Sequence, residues 1–237
     1  MRVYDVEITG VTALLMSHDD IEWADAMDRW KETNTKAGGQ KEVSKAGDDR
    51  TPAHRWIGRL YHGRVPMNAD GSKVEDVVSI PTDNIMRAMM GGAATVLIPG
   101  GRNGKTFKAE SQSGVIPVGE RWPLLIQGKT IPYGPIAELM KVKEFEKHQE
   151  RAEALGFALF LKRAKIGSTK HVRVRPRFDV WATRGHLKIT NEQITDSVLS
   201  AFLERAGADK GLGDWRPGSP KAPGPFGMFQ AKVSRVN

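Results

Sequence analysis

The 237 residues contain no cysteine, which excludes disulfides, thiolate nucleophiles and every cysteine-containing zinc site. No apolar stretch approaches the roughly 20 residues that a membrane-spanning helix needs. The chain does not open on the basic-then-apolar pattern of a secretory leader, so the expectation is a soluble cytoplasmic protein with no membrane partner. The six histidines stand singly, without H-E-x-x-H or a comparable ligand spacing, and no metal or other cofactor is expected. No Ser-His-Asp arrangement can be assembled from the sequence.

Positive charge is what the chain has in excess. Thirty-six Lys and Arg against 28 Asp and Glu give a net charge of +8 and a pI near 9.7. The excess is focused: the stretch from Lys162 to Lys188 holds nine Lys and Arg and one acid, Asp179. A positive face of this kind attracts nucleic acid or another extended anion over several kT.

Within that stretch His171–Val180 alternates strictly. His171, Arg173, Arg175 and Arg177 share one parity, and Val172, Val174, Phe178 and Val180 the other. On a pleated strand this buries an apolar face and aligns three guanidiniums at spacings of roughly 6–7 Å, about the phosphate repeat of an extended single strand. Pro176 has no backbone donor, which places the row on an edge strand or at a bulge. Charges on an edge strand also guard against aggregation, but lysine would serve that purpose. Arginine suits bidentate phosphate contact and stacking on bases. Lys162, Arg163, Lys165 and Lys170 extend the basic tract toward its N-terminal side.

The rest of the chain predicts an α+β fold. Arg2–Thr9 alternates as a half-exposed strand ending at Gly10. Asp20 caps a helix over 21–33, and 34–49 reads as a mobile loop. Thr51-Pro52 starts a short helix through Trp56 and Leu60. A second helix begins at Thr82 and is stopped by Gly91 and Gly92. Residues 94–98 and 122–127 read as strands, 99–114 as a polar, glycine-rich excursion, and 136–155 as a solvated helix. Thr190 to Gln193 forms a T-x-x-Q capping box, followed by an apolar stripe closing at Gly207, and 226–236 is a final strand. An antiparallel sheet with helices on one face fits this order, on the split βαβ or ferredoxin-like (RRM-like) plan, as one domain over 1–237 with insertions at about 19–62 and 99–114.

Between the last helix and the last strand lies Gly211-Leu-Gly213-Asp-Trp215-Arg216-Pro, continuing through Lys221 to Gly224-Pro-Phe226-Gly227. Glycines admit a ligand close to the backbone, Arg216 and Lys221 supply charge, and Trp215 or Phe226 can stack on a base. The other reading is a surface turn with Trp215 folded onto the core. A Rossmann reading fails, because these glycines follow a helix and prolines deny the helix that should come next.

Three weaker constellations have bland alternatives. Gly100–Thr106 is similar to a phosphate-binding P-loop, yet Pro99 stands where the first glycine is required and no amphipathic helix is expected after Thr106. Its alternative is a hairpin tip with Arg102, Lys105 and Lys108 at hand for an anion. His18-Asp19-Asp20 is similar to a fragment of a metal-dependent hydrolase, but the other ligands cannot be placed and a helix cap accounts for both aspartates. His171 and His186 border the basic strand, where either is a candidate acid or base for RNA cleavage or a simple phosphate donor.

The segments V-R-V-R-P-R-F-D-V-W (172–181) and G-L-G-D-W-R-P (211–217) with P-F-G-M-F (225–229) resemble a family of small bacteriophage and prophage proteins. The opening V-E-I-T-G-V-T-A-L-L-M-S-H (6–18) resembles that family's first strand. More distantly, the opening strand and the glycine-rich loop before the last strand resemble the RAMP superfamily, the RRM-like RNA-binding proteins of CRISPR effector complexes, especially their repeated backbone subunit. The resemblance implies an RRM-like fold in a bacterial host cell that binds single-stranded RNA or DNA and forms a homo-oligomer along it. Arg173, Arg175, Arg177, Gly211, Gly213, Trp215, Arg216 and Gly227 match by position; the catalytic histidine of RAMP endoribonucleases has no counterpart. The expected function is non-enzymatic single-strand binding, with a histidine-dependent RNA-cleaving enzyme and a phage assembly or protein-interaction module as the alternatives.

Overall fold

Alternation over the first nine residues produces a strand with Tyr4, Val6 and Ile8 buried and Asp5 and Glu7 on the opposite face. The structure, a computed structural model, describes residues 1–18, 53–67, 73–166, 169–220 and 222–236, and for 53, 163–166 and 169–172 the backbone alone. The expected helix over 21–33, the loop over 34–49 and the Thr51-Pro52 start lie outside the described residues.

The chain divides into two compact units, one of Met1–Leu15, His62–Pro132 and Phe178–Asn237, the other of Met16–Tyr61 and Tyr133–Arg177. The stretch 19–62 thus falls in the second unit save for its last residue, together with 133–177, and 99–114 falls in the first. In chain order the elements are β1 (Arg2–Gly10), β2 (Leu14–Leu15), β3 (His62–Pro66), β4 (Val74–Pro81), α1 (Thr82–Ala93), α2 (Lys108–Gly114), β5 (Val115–Pro117), β6 (Arg121–Ile126), β7 (Lys129–Thr130), α3 (Phe145–Ala154), β8 (Ala158–Ile166), β9 (Thr169–Phe178), β10 (Ala182–Ile189), α4 (Asp196–Arg205) and β11 (Phe229–Val236).

The first unit is built on an antiparallel sheet in the order β11-β1-β10-β6-β4-β3. β1 pairs with β10 from Arg2↔Ile189 to Thr9↔Ala182 and with β11 from Val3↔Val236 to Gly10↔Phe229. Taken with α1 and α4, the strands β1, β6, β10 and β11 run β-α-β-β-α-β along the chain and lie fourth-first-third-second across the sheet, which is the split βαβ, ferredoxin-like plan. The β3–β4 hairpin widens the sheet beyond β6, β5 pairs with the end of β10, and β7 folds back on β6.

Three local expectations are corrected in this unit. α1 does not stop at Gly91 and Gly92 but runs through them, because a Cβ at Gly92 would overlap the Phe202 carbonyl and the Ala206 amide. The glycine is used for close helix–helix packing, not as a stop. Residues 94–98 are not a strand: Ala94, Thr95 and Val96 donate to the last carbonyls of α1, and only Leu97 bridges to Thr106. Thr190 does not cap α4. Arg2 Nη2 donates to the Asn191 and Ile194 carbonyls at 2.8 and 2.9 Å and holds that turn out of the helix, so the cap is Thr195, whose hydroxyl accepts the Val198 N–H at 3.4 Å.

In the second unit Ala53–Arg59 forms a 3₁₀ helix with Trp56, Ile57 and the following Leu60 buried. The single helix expected over 136–155 is broken. One turn, Gly134–Ala137, passes into a 3₁₀ turn, Glu138–Lys141, the chain extends at Val142, and α3 begins at Phe145. The break is used by buried His148, which donates from Nε2 to the Val142 carbonyl (2.9 Å) and accepts the Trp56 indole N–H at Nδ1 (3.0 Å). Both ring nitrogens are satisfied in one neutral tautomer, which locks α3 to the 3₁₀ helix.

Candidate nucleic-acid interface

The basic strand is realised as β9, paired with β8 from Ala158↔Arg177 to Ile166↔Thr169. The antiparallel register puts Lys162 opposite Arg173, Phe160 opposite Arg175 and Ala158 opposite Arg177. One face of the two-stranded ribbon therefore carries Lys162, Arg173, Arg175 and Arg177, with an aromatic ring among them. Arg173 is exposed, and Phe160, Lys162, Arg175 and Arg177 are partly so. On the other face Leu159 and Pro176 are buried near the base of the ribbon, while Leu161, farther along, is 41% exposed. Arg163, Lys165, Lys170 and His171 belong to the same two strands, but their side chains lie outside the described residues.

Two details of the row differ from expectation. β9 is not a bare edge at Pro176, whose carbonyl accepts the Met16 N–H at 3.1 Å; the proline sits where only an acceptor is used. Val180 does not join the apolar face. β9 ends at Phe178 and Val180 is 66% exposed, because the chain turns there to bury Trp181, whose indole N–H donates to the Thr12 carbonyl at 2.8 Å.

Sequence reasoning missed Arg55 and Arg59 on the 3₁₀ helix of the same unit. Arg55 reaches solvent, yet its guanidinium is held below its ordinary value, first by the protein that displaces part of its water and then by the positive charges of Arg59 and Arg173. Arg59 Nη1 donates to the His18 carbonyl at 3.0 Å. A signal was present in H-R-W-I-G-R, where two arginines four apart flank residues that must be buried.

The glycine-rich loop belongs to the first unit and is folded on its own chain. Leu212 N–H donates to the Gly227 carbonyl, Gly227 N–H to Ala13 and Asp214 N–H to Leu15, each at 2.8 Å. Gly211, Gly213 and Gly227 have φ of 65°, 75° and 72°, and a Cβ at Gly213 or Gly227 would overlap the Leu15 or Leu212 carbonyl. These glycines are accounted for by contacts within the chain. Trp215, at φ 49°, lies 5.4 Å from the Phe226 ring, and Arg216 Nη1 donates to the Lys210 carbonyl at 3.3 Å. Lys221 lies outside the described residues.

RRM-type sheets stack bases on aromatic side chains of their open face. Here the face opposite the buried Tyr4, Val6 and Ile8 presents Asp5 and Glu7 on β1 and Arg184, His186 and Lys188 on β10. Its charges are partly paired: Arg184 Nη2 meets Asp5 Oδ2 at 2.6 Å, and His186 Nε2 lies 3.9 Å from Asp5 Oδ1. The Arg184 hydrogen bonds hold the Asp5 carboxyl below its ordinary range. On β1 and β10 that face carries no Phe, Tyr or Trp, and its one ring, His186, lies beside the Asp5 carboxylate.

Gly100–Thr106 is a hairpin tip closed by Ile98 and Lys105 (2.9 Å), and Lys105 Nζ pairs with Glu110 at 2.8 Å. A short helix, α2, does follow it, contrary to expectation, because Phe107 is buried against Phe202 (ring centroids 5.5 Å) and carries the chain back to the core. Among the described residues no three His, Asp or Glu side chains are gathered as a metal ion would require, and no helix is long and apolar enough to cross a membrane. No protein-family model and no curated protein matches the chain.

Proposed function

We propose that the protein binds single-stranded RNA or DNA without cleaving it, through the cationic face of the β8–β9 ribbon. The observation that carries this reading is the strand register, which gathers Lys162, Arg173, Arg175 and Arg177 around Phe160 on one face. Guanidiniums neutralise successive phosphates, and the aromatic ring supplies a surface on which one base stacks. Arg163, Lys165 and Lys170 fall at the alternate register positions of the same two strands and are not counted in this face. Arg216, Lys221 and the Trp215–Phe226 pair form a second contact, and copies of the chain assemble along the strand as the RAMP-like resemblance implies, in the cytoplasm of a bacterial host.

The direct test is fluorescence anisotropy with labelled single-stranded oligonucleotides of several sequences, using the wild type and a variant with Arg173, Arg175 and Arg177 all changed to Ala. The variant is expected to keep its circular dichroism spectrum and to lose affinity equally for every sequence, as phosphate contacts do. Wild-type protein that leaves the oligonucleotides unbound at 50 mM salt while capturing an acidic protein would favour the interaction-module reading instead.

A further inference from the structure

The strand path of the first unit ends on β11 at one edge and on β3 at the other, and the two edges are built differently. β3 is short, His62–Pro66, and closes on a proline, a residue without an N–H that commonly guards a sheet edge. β11 runs over eight residues, Phe229–Val236, with no proline or glycine, and its register with β1 is unbroken from Val3↔Val236 to Gly10↔Phe229.

That register fixes which backbone groups of β11 face outward. Val11 N–H donates to the Met228 carbonyl, on the β11 side of β1, and Gly10 N–H to the Trp181 carbonyl, on the β10 side, both at 2.8 Å. Backbone groups alternate between the two sides of a strand, so Val3, Asp5, Glu7 and Thr9 bond β11 through Val236, Ser234, Lys232 and Gln230. The N–H and C=O groups of Ala231, Val233 and Arg235 are left pointing away from the sheet. The Phe229 carbonyl, on the same side, lies against Gly207, where a Cβ would overlap it. Beyond that point, among the described residues, no strand pairs with the edge and no backbone hydrogen bond reaches it. Ala231 and Val233 are half-buried and Arg235 is exposed.

Symmetry and charge select an occupant. A two-fold axis normal to the sheet pairs the edge with itself in the antiparallel sense and keeps like faces together. The two longest registers of this kind centre on Lys232 and on Val233. The first sets two lysines against each other, which destabilises. The second exchanges the Val233 N–H and C=O groups between the copies, sets Ala231 against Arg235 and Lys232 against Ser234, and opposes no like charges. Asp5 stands opposite Ser234 on β1, as Glu7 stands opposite Lys232. Two strand spacings are about 9–10 Å, so Lys232 has Glu7 on one side and, over Ser234 of the second copy, the Asp5 carboxylate of that copy on the other.

We propose that the protein is a two-fold dimer in which β11 pairs with β11 of a second copy, joining the two sheets into one. The dimer forms without nucleic acid and is independent of the single-strand-binding reading.

Sedimentation velocity of the full chain, without nucleic acid and over about 1–100 µM, measures the dissociation constant, which is expected within that range. Val233→Pro deletes an N–H that β1 does not use, so the β1 ladder is kept while the bonds exchanged between copies are lost. The dissociation constant should rise by at least about thirtyfold. Ser234→Lys places its charge opposite Asp5 within its own chain but opposite Lys232 of the other copy, and should weaken the dimer by about fivefold to tenfold at low salt. Adding Lys232→Glu returns an opposite-charge pair to the junction and should recover part of that loss.

Wild type that stays monomeric throughout overturns the proposal. A dimer that survives Val233→Pro or Ser234→Lys in protein folded by circular dichroism places the contact elsewhere and overturns it too, as does a Ser234→Lys loss that Lys232→Glu leaves unchanged. Should Val233→Pro fail to fold, the charge pair decides alone.

Discussion

Salt dependence offers the most quantitative check on the ribbon, because each phosphate neutralised contributes about −0.7 to the slope of log affinity against log salt for a single strand. The described ribbon face carries four cations, Lys162, Arg173, Arg175 and Arg177, and full engagement of all four accounts for a slope of about −2.8. With further contacts elsewhere on the chain, the glycine-rich loop among them, ~5–8 phosphates give a total of about −3.5 to −5.6. Changing Arg173, Arg175 and Arg177 to Ala should remove about 2.1 from that slope. Between 50 and 200 mM salt the wild type should accordingly lose about 18-fold more affinity than the variant. Anisotropy titrations at four or five salt concentrations, with circular dichroism to confirm folding, measure both slopes. A variant slope within about 0.5 of wild type, in folded protein, means that fewer than one of the three arginines meets a phosphate, and the reasoning from register to function fails.

Three further outcomes bear on the scaffold. Gly92→Ala should destabilise the first unit by about 1–3 kcal/mol through the clash with the α4 backbone, seen as a lower urea midpoint. Thr195→Ala should cost about 1 kcal/mol as a lost N-cap, whereas Thr190→Ala should lie within about 0.5 kcal/mol of wild type in the same urea titrations, an equal loss at both positions contradicting the observed cap. The Asp5 carboxyl is held below its unfolded value by Arg184, so its contribution to stability is present above the usual carboxylate range and disappears as pH falls through the folded value. Asp5→Asn should therefore lower stability at pH 7 and flatten its decline below about pH 4, as followed by thermal melts across pH; an unchanged acid limb would remove Arg184–Asp5 from the account.

Of the four strands at the centre of the sheet, β1, β6 and β11 were legible because period-two patterning is written locally, as with Tyr4, Val6 and Ile8. β10 was not read as a strand, and the basic strand counted in its place belongs to the second unit, so the ferredoxin-like plan was expected from a partly different set of strands. What misled the reading was local chemistry redirected by distant partners. Gly91-Gly92 has the composition of a helix stop, but α4 needs a surface without side chains at Gly92. Thr190 begins a plausible capping box, but Arg2, near the other end of the chain, engages the carbonyls that the helix would require. Residues 136–155 have helical composition, but a buried histidine takes the Val142 carbonyl for itself.

The candidate site divides along the same line. The parity of Arg173, Arg175 and Arg177 could be counted from the sequence, and so could their partners on β8. Gly167-Ser168 between the two runs is a two-residue hairpin signal that the sequence reading did not use, and a pairing symmetric about it sets Phe160 opposite Arg175. The effect of the Arg59 and Arg173 charges on Arg55 could not be counted. It depends on where the fold sets segments from separate parts of the chain within one unit, and no pattern within either segment encodes the other. The glycines at 211, 213 and 227 show the same limit from the opposite side. Composition establishes that something approaches the backbone closely, and only the fold identifies it as the chain's own carbonyls at Leu15, Leu212 and Ala13. A glycine-rich loop explained by its own packing lends little weight to a ligand, whereas the strand register that lines up Arg173, Arg175 and Arg177 with Lys162 serves no packing within the chain that the glycines' contacts parallel. The functional argument therefore rests on the second unit, where the register of β8 and β9 sets four cations on one face.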